Sequence, residues 1–237
     1  MSPSRATRLD ELFAKPFAHR GLHGADVTEN SRAAFRAAIH AGHGIELDVQ
    51  ASGDGEAIVF HDYELGRLTD AQGRLAETSA AMLGAIPLRG ESEGLPTLGE
   101  ILALIDGRAP LLIEVKSPGR RVAALSGAVA RALDSYIGPV AVMSFNPRVS
   151  RWFARHRPDM LRGLVVTEEG RPERGRLKRR LSLWWSKADF LAYDIRDLPS
   201  RFAASSGLPV ATWTVRTEAQ RAAAAQHADQ VIYEVEP

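Results

Sequence analysis

The sequence predicts an α/β protein, a (β/α)8 barrel, from three observations. Eight short apolar runs recur along the chain, amphipathic and often alanine-rich stretches separate most of them, and no linker or fixed-period repeat divides the 237 residues. Strands alternating with helices build a parallel sheet, and eight such units at this length close into a barrel. An open doubly wound sheet fits less well, because no glycine-rich phosphate turn follows the first strand.

The elements follow in order. Phe17 to His19 is the first strand, ended by Arg20 and by Gly21, whose freedom lets the chain turn away. "SRAAFRAAIHAG" has helical spacing, with Ser31 placed to cap it and Gly42 past its end. Ile45 to Val49 is the second strand. The next stretch, "QASGDGEAIVFHD", carries Asp54-Gly55 as a hairpin turn and is too short for a helical crossover. Residues 57–61 should therefore fold back along the second strand and bring His61 to the barrel mouth. Residues 66–96, rich in glycine and polar side chains, form a small insertion.

After the helix "TLGEILALID", the remaining strands are Leu111 to Lys116, Val140 to Phe145, Leu161 to Val166, Phe190 to Tyr193, Pro209 to Thr214 and Gln230 to Tyr233. Helical patterns "RRVAALSGAVARALDSY", "PRVSRWFARH", "LPSRFAASSG" (with Gly207 past its end) and "TEAQRAAAAQHA" lie between them. One domain over 1–237 is expected.

Composition excludes several functions. Hydrophobic residues make up 45% and charged residues 25%, as in a soluble globular protein. With no cysteine there is neither a disulfide framework nor thiolate chemistry. A formal net charge of +1 does not suit a general polyanion binder, and no nucleic-acid motif accompanies the basic residues. The N-terminal residues lack the apolar region of a signal peptide, and no apolar stretch approaches a membrane span. The expected location is the cytoplasm.

The chemistry concentrates at strand ends. Strand side chains alternate, so Glu46 and Asp48 share one face, as do Glu114 and Lys116. Buried acids are costly unless paired or metal-bound. Barrel interiors normally take branched apolar residues, and the C-terminal strand ends form the catalytic face. Glu46, Asp48 and Glu114 therefore suit one hard divalent ion, Mg²⁺ or Ca²⁺. The plain structural alternative is an ion-pair layer with Arg20 and Lys116. His19 and His61, each followed by a charged residue and led to the same mouth, suit an acid/base pair. Arg20 and Lys116 point to a phosphoryl oxygen as the charged target. No nucleophile elbow, Walker loop or zinc signature is present. His23, His40, His43, His156 and His227 read as surface or packing residues.

These residues stand in a series: "HRG" at 19–21, "ENS" at 29–31, "GIELDV" at 44–49, "DG" at 54–55, "HD" at 61–62, "PTLGEIL" at 96–102, "IEVK" at 113–116, "SFNP" at 144–147 and "WTV" at 213–215. The series resembles the glycerophosphodiester phosphodiesterase family over nearly the whole chain. The resemblance implies a TIM-barrel enzyme that hydrolyses small-molecule glycerophosphodiesters to glycerol 3-phosphate and an alcohol. It implies His19 and His61 as acid and base, and Glu46, Asp48 and Glu114 as metal ligands. Arg20 and Lys116 would hold phosphate, with Glu29 organising the site and Trp213 near the substrate. It also implies attack by the glycerol 2-hydroxyl through a cyclic phosphate.

Thr28, Arg216 and the final "DQVIYEVEP" depart from the family pattern. They are expected to leave the catalytic set untouched, with Arg216 and Tyr233 near the mouth. Residues 174–190, "RGRLKRRLSLWWSKADF", join a basic cluster to Trp184 and Trp185. They fit an outer barrel helix, an electropositive collar for substrate, or a weak peripheral membrane contact. A lysophospholipase D-like activity on membrane lipid and a non-catalytic phosphodiester-binding barrel are the rival functions.

Overall fold

One sheet, closed on itself, carries the site at one end. The computed structural model describes residues 4–168 and 175–235. Its strands are β1 (Phe17–Ala18), β2 (Gly44–Ala51), β3 (Ala57–Val59), β4 (Leu111–Val115), β5 (Val140–Ser144), β6 (Leu161–Val166), β7 (Phe190–Asp194), β8 (Val210–Val215) and β9 (Gln230–Tyr233). β1 pairs in parallel with both β2 and β9, Phe17 lying opposite Gly44 and Ile232, which closes a ring of eight parallel strands. β3 stands outside that ring. It runs antiparallel to β2, with Val49 opposite Val59 and Ala51 opposite Ala57, so the expected hairpin is present.

Local chemistry sets the helices. They are α1 (Arg5–Leu12), α2 (Arg32–His40), α3 (Ala80–Gly84), α4 (Leu98–Ile105), α5 (Ala123–Ala132), α6 (Pro147–His156), α7 (Arg176–Ser186), α8 (Arg201–Ala204) and α9 (Glu218–His227). Ser31 Oγ accepts the Ala34 N–H at 3.0 Å and starts α2. Thr97 with Glu100, and Thr217 with Gln220, form capping boxes on α4 and α9. α8 is only four residues long, shorter than its sequence pattern suggests. Residue 174, the first of the basic stretch, lies outside the described residues.

Side chains pointing inward divide the barrel into an apolar floor and a charged mouth. Phe17, Leu112, Ala141, Leu161, Phe190, Ala211 and Ile232 pack together at the floor. The floor is closed by α1, an element that the sequence pattern alone does not announce. Leu12 is fully buried in this cluster, and the Phe13 ring meets those of Phe17 and Phe190 edge-on at 6.3 and 5.4 Å. The 66–96 insertion is less polar than its composition suggests. Its Leu75, Leu83, Leu88 and Leu95 bury themselves with Ile58, Phe60 and Leu65 in a separate small core.

Two glycines make room for the floor aromatics. A Cβ on Gly163 would sit 2.5 Å from two Phe190 ring carbons, and one on Gly44 would sit 2.7 Å from a Phe17 ring carbon. Phe190 is fully buried and has no space to swing into. Gly163→Ala should therefore destabilise the protein by about 1–3 kcal/mol through overpacking. Urea unfolding tests this: the midpoint should fall with an unchanged slope, and an unmoved midpoint would mean the floor tolerates the extra methyl group.

Candidate active site

The charged residues lie in or just past the strands. His19 and Lys116 lie one residue past β1 and β4, and Glu46 and Asp48 lie within β2. Arg20 and Gly21 adopt left-handed backbone angles, φ 56° and 80°, which turn the chain sharply off β1. A non-glycine residue stays there only if its surroundings hold it. Here the Arg20 N–H donates to Glu46 Oε2 at 3.1 Å, and its carbonyl accepts the Asn30 N–H at 2.8 Å. Gly21 is required in turn, since a Cβ there would lie 2.8 Å from Ala34 Cβ.

Glu46, Asp48 and Glu114 meet at the top of β2 and β4, where Asp48 and Glu114 are direct cross-strand partners. One carboxylate oxygen from each lies within 4.8 Å of the others. Asp48 is well satisfied. Lys116 Nζ lies 3.0 Å and Arg20 Nε 3.3 Å from its carboxylate, and Asn30 Nδ2 donates to it at 3.0 Å. Lys116 also donates to Glu114 at 2.9 Å. The ion-pair layer is thus present, but it leaves Glu46 over. This residue is 1% exposed, and among the described residues no Arg or Lys side-chain nitrogen lies within 4.0 Å of its carboxylate oxygens.

The titration directions follow. Burial first, then the neighbouring Asp48 and Glu114, pushes the Glu46 carboxyl well above its ordinary range. Burial and Asp48 also raise Glu114. For Asp48, Lys116, Arg20 and the two histidines outweigh the effect of burial and hold it at about 2. Lys116 stays protonated because Asp48 and Glu114 outweigh its own desolvation. Three acids against two cations leave a donor set with spare negative charge and oxygen ligands, which is what a hard divalent cation requires.

The two histidines flank this cluster, and each is backed by a carboxylate. His19 Nδ1 lies 2.5 Å from Glu234 Oε1, and its Nε2 faces Glu46 at 3.9 Å. His61 Nδ1 lies 2.7 Å from Asp62 Oδ1, and Arg67 binds the other oxygen of Asp62. Arg67 also grips Glu29 through two bonds, at 2.7 and 3.0 Å, and Glu29 holds Arg20 at 2.7 Å. Burial lowers the pKa of both histidines, despite Glu234 beside His19 and Asp48 near His61. His19, Arg20, Glu46, His61, Glu114 and Lys116 line one cavity of about 380 Å³. Trp213 forms part of its wall. Its indole N–H donates to the Ala192 carbonyl at 2.9 Å and its ring meets Phe145 edge-on, so it offers a ring face or edge and no free donor.

Two expectations need correction. The departures at the chain end do touch the histidine set: Glu234 holds His19, and Arg216 Nε holds Glu234 at 2.7 Å. Tyr233 is not at the mouth. Its side chain turns outward, buried, with its hydroxyl on His43 Nδ1 at 2.5 Å. His23 is also closer to the site than a surface residue, its Nε2 4.0 Å from Glu234.

Sequence reasoning missed Asn30, Gln50, Asp62, Arg67 and Glu234 as supports. Gln50 had a signal, since it shares its strand face with Glu46 and Asp48. Its Nε2 donates to the carbonyls of Phe60, His61 and Asp62 at 3.1, 2.9 and 2.7 Å, which pins the returning strand.

A model of the glycerophosphoryl diester phosphodiesterase family matches residues 19–236. A glycerophosphodiester phosphodiesterase of Bacillus altitudinis is 35% identical over 115 residues, 44% of this chain and 45% of that one. The chain spans about half the length of the curated relatives it matches first. An Oleispira antarctica phosphodiesterase, solved with its product sn-glycerol-3-phosphate, superposes with a TM-score of 0.76 at 23% identity, covering 92% of this chain and 91% of that one. The glycerophosphodiester phosphodiesterase of Thermotoga maritima gives 0.72 at 23% identity, covering 92% of each. At such identities the likeness to the solved structures carries the fold.

Glu234 supplies a pH test. Burial would raise its pKa, but His19 and Arg216 hold it at about 2, below the ordinary 4.5. A depressed carboxylate contributes stability that is complete above about pH 4.5 and is lost as pH falls toward 2. The stability gap between wild type and Glu234→Gln, followed by urea midpoints, should therefore narrow through that window. Parallel curves would show that Glu234 is not held as an anion.

Proposed function

The chain belongs to the glycerophosphoryl diester phosphodiesterase family, and on that premise we propose that it hydrolyses glycerophosphodiesters to glycerol 3-phosphate and an alcohol, with a divalent metal ion and histidine acid/base catalysis. One arrangement supports this most: two carboxylate-backed histidines flank an acid trio that its own cations leave unneutralised. The Bacillus altitudinis relative is a glycerophosphodiester phosphodiesterase, and the Oleispira antarctica phosphodiesterase was solved with the product such a reaction would release.

Glu46, Asp48 and Glu114 would hold the ion, Mg²⁺ or Ca²⁺, both of which accept oxygen ligands. Bound there, the ion supplies Lewis-acid polarisation of a phosphoryl oxygen. Arg20 and Lys116 bring fixed positive charge to the same oxygens. One imidazole takes the proton of the attacking glycerol 2-hydroxyl, the other gives a proton to the departing alcohol, and water then opens the cyclic phosphate to glycerol 3-phosphate. Burial lowers the pKa of both rings, which favours the neutral form needed in the proton acceptor, while the ring that acts as acid carries its proton as an imidazolium. Glu234 and Asp62 stabilise each imidazolium as it forms and fix which nitrogen faces the cavity. Glu29 keeps Arg20 in place from behind, while Trp213 and Phe145 form the apolar side, against which the glycerol or the alcohol would rest.

The test is release of glycerol 3-phosphate from glycerophosphocholine and glycerophosphoethanolamine, with Mg²⁺, with Ca²⁺ and with EDTA. Release should need metal, and His19→Ala or His61→Ala should each lower turnover by about 10²–10⁴-fold while the fold persists. Near-normal turnover in either variant would remove that histidine from the acid/base pair. Glu46→Gln should shift the metal titration to higher concentration, and an unchanged titration would place the ion elsewhere.

A further inference from the structure

We propose that α7 docks this protein onto an anionic lipid surface, beside the barrel mouth. The inference rests on the surface of the helix and is independent of the reaction proposed above.

The face of α7 turned toward the barrel is fully used. Arg179 reaches in to the buried Glu168 at 3.0 Å, which Ser200 and Tyr193 also bond. Leu183 packs on the core around Leu191 and Phe202, Ser186 is fully buried, and Trp185 lies under the guanidinium groups of Arg148 and Arg151. These contacts fix the helix and determine what its other side presents.

That other side is apolar where a solvated helix would be polar. Leu177, Leu181 and Trp184, at i, i+4 and i+7, share one face and are 72%, 56% and 68% exposed. Eight large hydrophobic side chains are exposed among the described residues, and three of them form this single stripe. Cations border it. Arg176, Lys178, Arg180 and Lys187 are all exposed, no acid falls between 176 and 187, and Lys187 Nζ lies 5.4 Å over the Trp184 ring. The whole chain carries a formal charge of only +1, so the concentration is local.

Charge complementarity selects the occupant. A second copy laid on this face about a two-fold axis would set Arg176, Lys178 and Arg180 against their own equivalents. Three apolar side chains also fall far short of the roughly 1,200 Å² that a stable interface buries. A leaflet bearing anionic headgroups meets both needs. Leucine and tryptophan enter the headgroup boundary, while lysine and arginine extend to phosphate. No helix among the described residues is long and apolar enough to cross a membrane, so the contact would be peripheral. It would also lie near the reaction cavity. A groove of about 410 Å³, lined by Leu164, Lys178 and Arg179, shares Phe145 and Val165 with the cavity that holds the histidines.

The test is co-sedimentation of the full chain with phosphatidylcholine vesicles, with and without phosphatidylglycerol. Wild type should bind the anionic vesicles, and added salt should weaken binding. Lys178→Gln with Arg180→Gln should lower partitioning roughly 25-fold, each cation contributing roughly fivefold. Leu177→Ser, Leu181→Ser and Trp184→Ser together should abolish binding, while hydrolysis of a soluble diester stays at the wild-type level. Absence of vesicle binding by wild type, or undiminished binding by the triple variant, would overturn the proposal. So would a concentration-dependent dimer that the triple variant loses, since a second copy would then cover the face. Loss of hydrolysis in wild type would count against the reaction alone.

Discussion

Three carboxylates, Glu46 and Asp48 buried and Glu114 partly so, each with an oxygen within 4.8 Å of the others, are the constraint on which the rest of this structure depends. Two unit charges about 4 Å apart repel by about 4 kcal/mol even at an effective dielectric near 20. Glu46 and Asp48 come from one strand and Glu114 from the next, so the sheet register itself brings them together. The surrounding residues manage this charge. Lys116 lies between Asp48 and Glu114, Arg20 turns back from the end of β1, and Asn30 donates to Asp48. The left-handed Arg20 is part of the same arrangement, because only that turn aims both its N–H and its side chain at the acids. What these groups leave unneutralised, on Glu46, is where a cation would add most.

A site so loaded needs a rigid base, and the apolar floor provides it. Floor side chains from seven barrel strands pack under the acids, α1 closes them from below, and Gly44 and Gly163 let two phenyl rings fill the axis. The insertion has a parallel role for His61. Its own leucine core and the Gln50 bonds to Phe60, His61 and Asp62 hold the returning strand and the segment that carries His61.

Much of this was legible in the sequence, for physical reasons. Period-two alternation placed Glu46, Asp48 and Glu114 together, and Asp54-Gly55 dictated the hairpin. The ring of eight parallel strands followed from their alternation with helices. The supports were less legible because their partners are distant in sequence. Nothing near Glu234 announces His19, 215 positions away, and nothing near Arg67 announces Glu29, 38 positions away. α1 was missed because its apolar residues are few, Leu9, Leu12 and Phe13, and only the barrel floor gives them a destination. Tyr233 was misplaced because its neighbour Glu234 does face the mouth, and adjacent strand positions point to opposite faces.

The pairing of His19 with Glu234 also binds the site to the closure of the barrel. β1 and β9 are joined by few backbone bonds, since β1 has only two residues and the His19 N–H donates to the Tyr233 carbonyl at 2.9 Å. The side-chain bond from Glu234 to His19, extended by Arg216, crosses that same seam. A seam so short would be a weak point if it carried backbone bonds alone. Placing a charge-assisted bond across it makes closing the ring and orienting the histidine one event. That explains why an arginine and a glutamate at the end of the chain matter to a residue at its beginning. A barrel that failed to close would lose the orientation of His19 before it lost the acid cluster on β2 and β4.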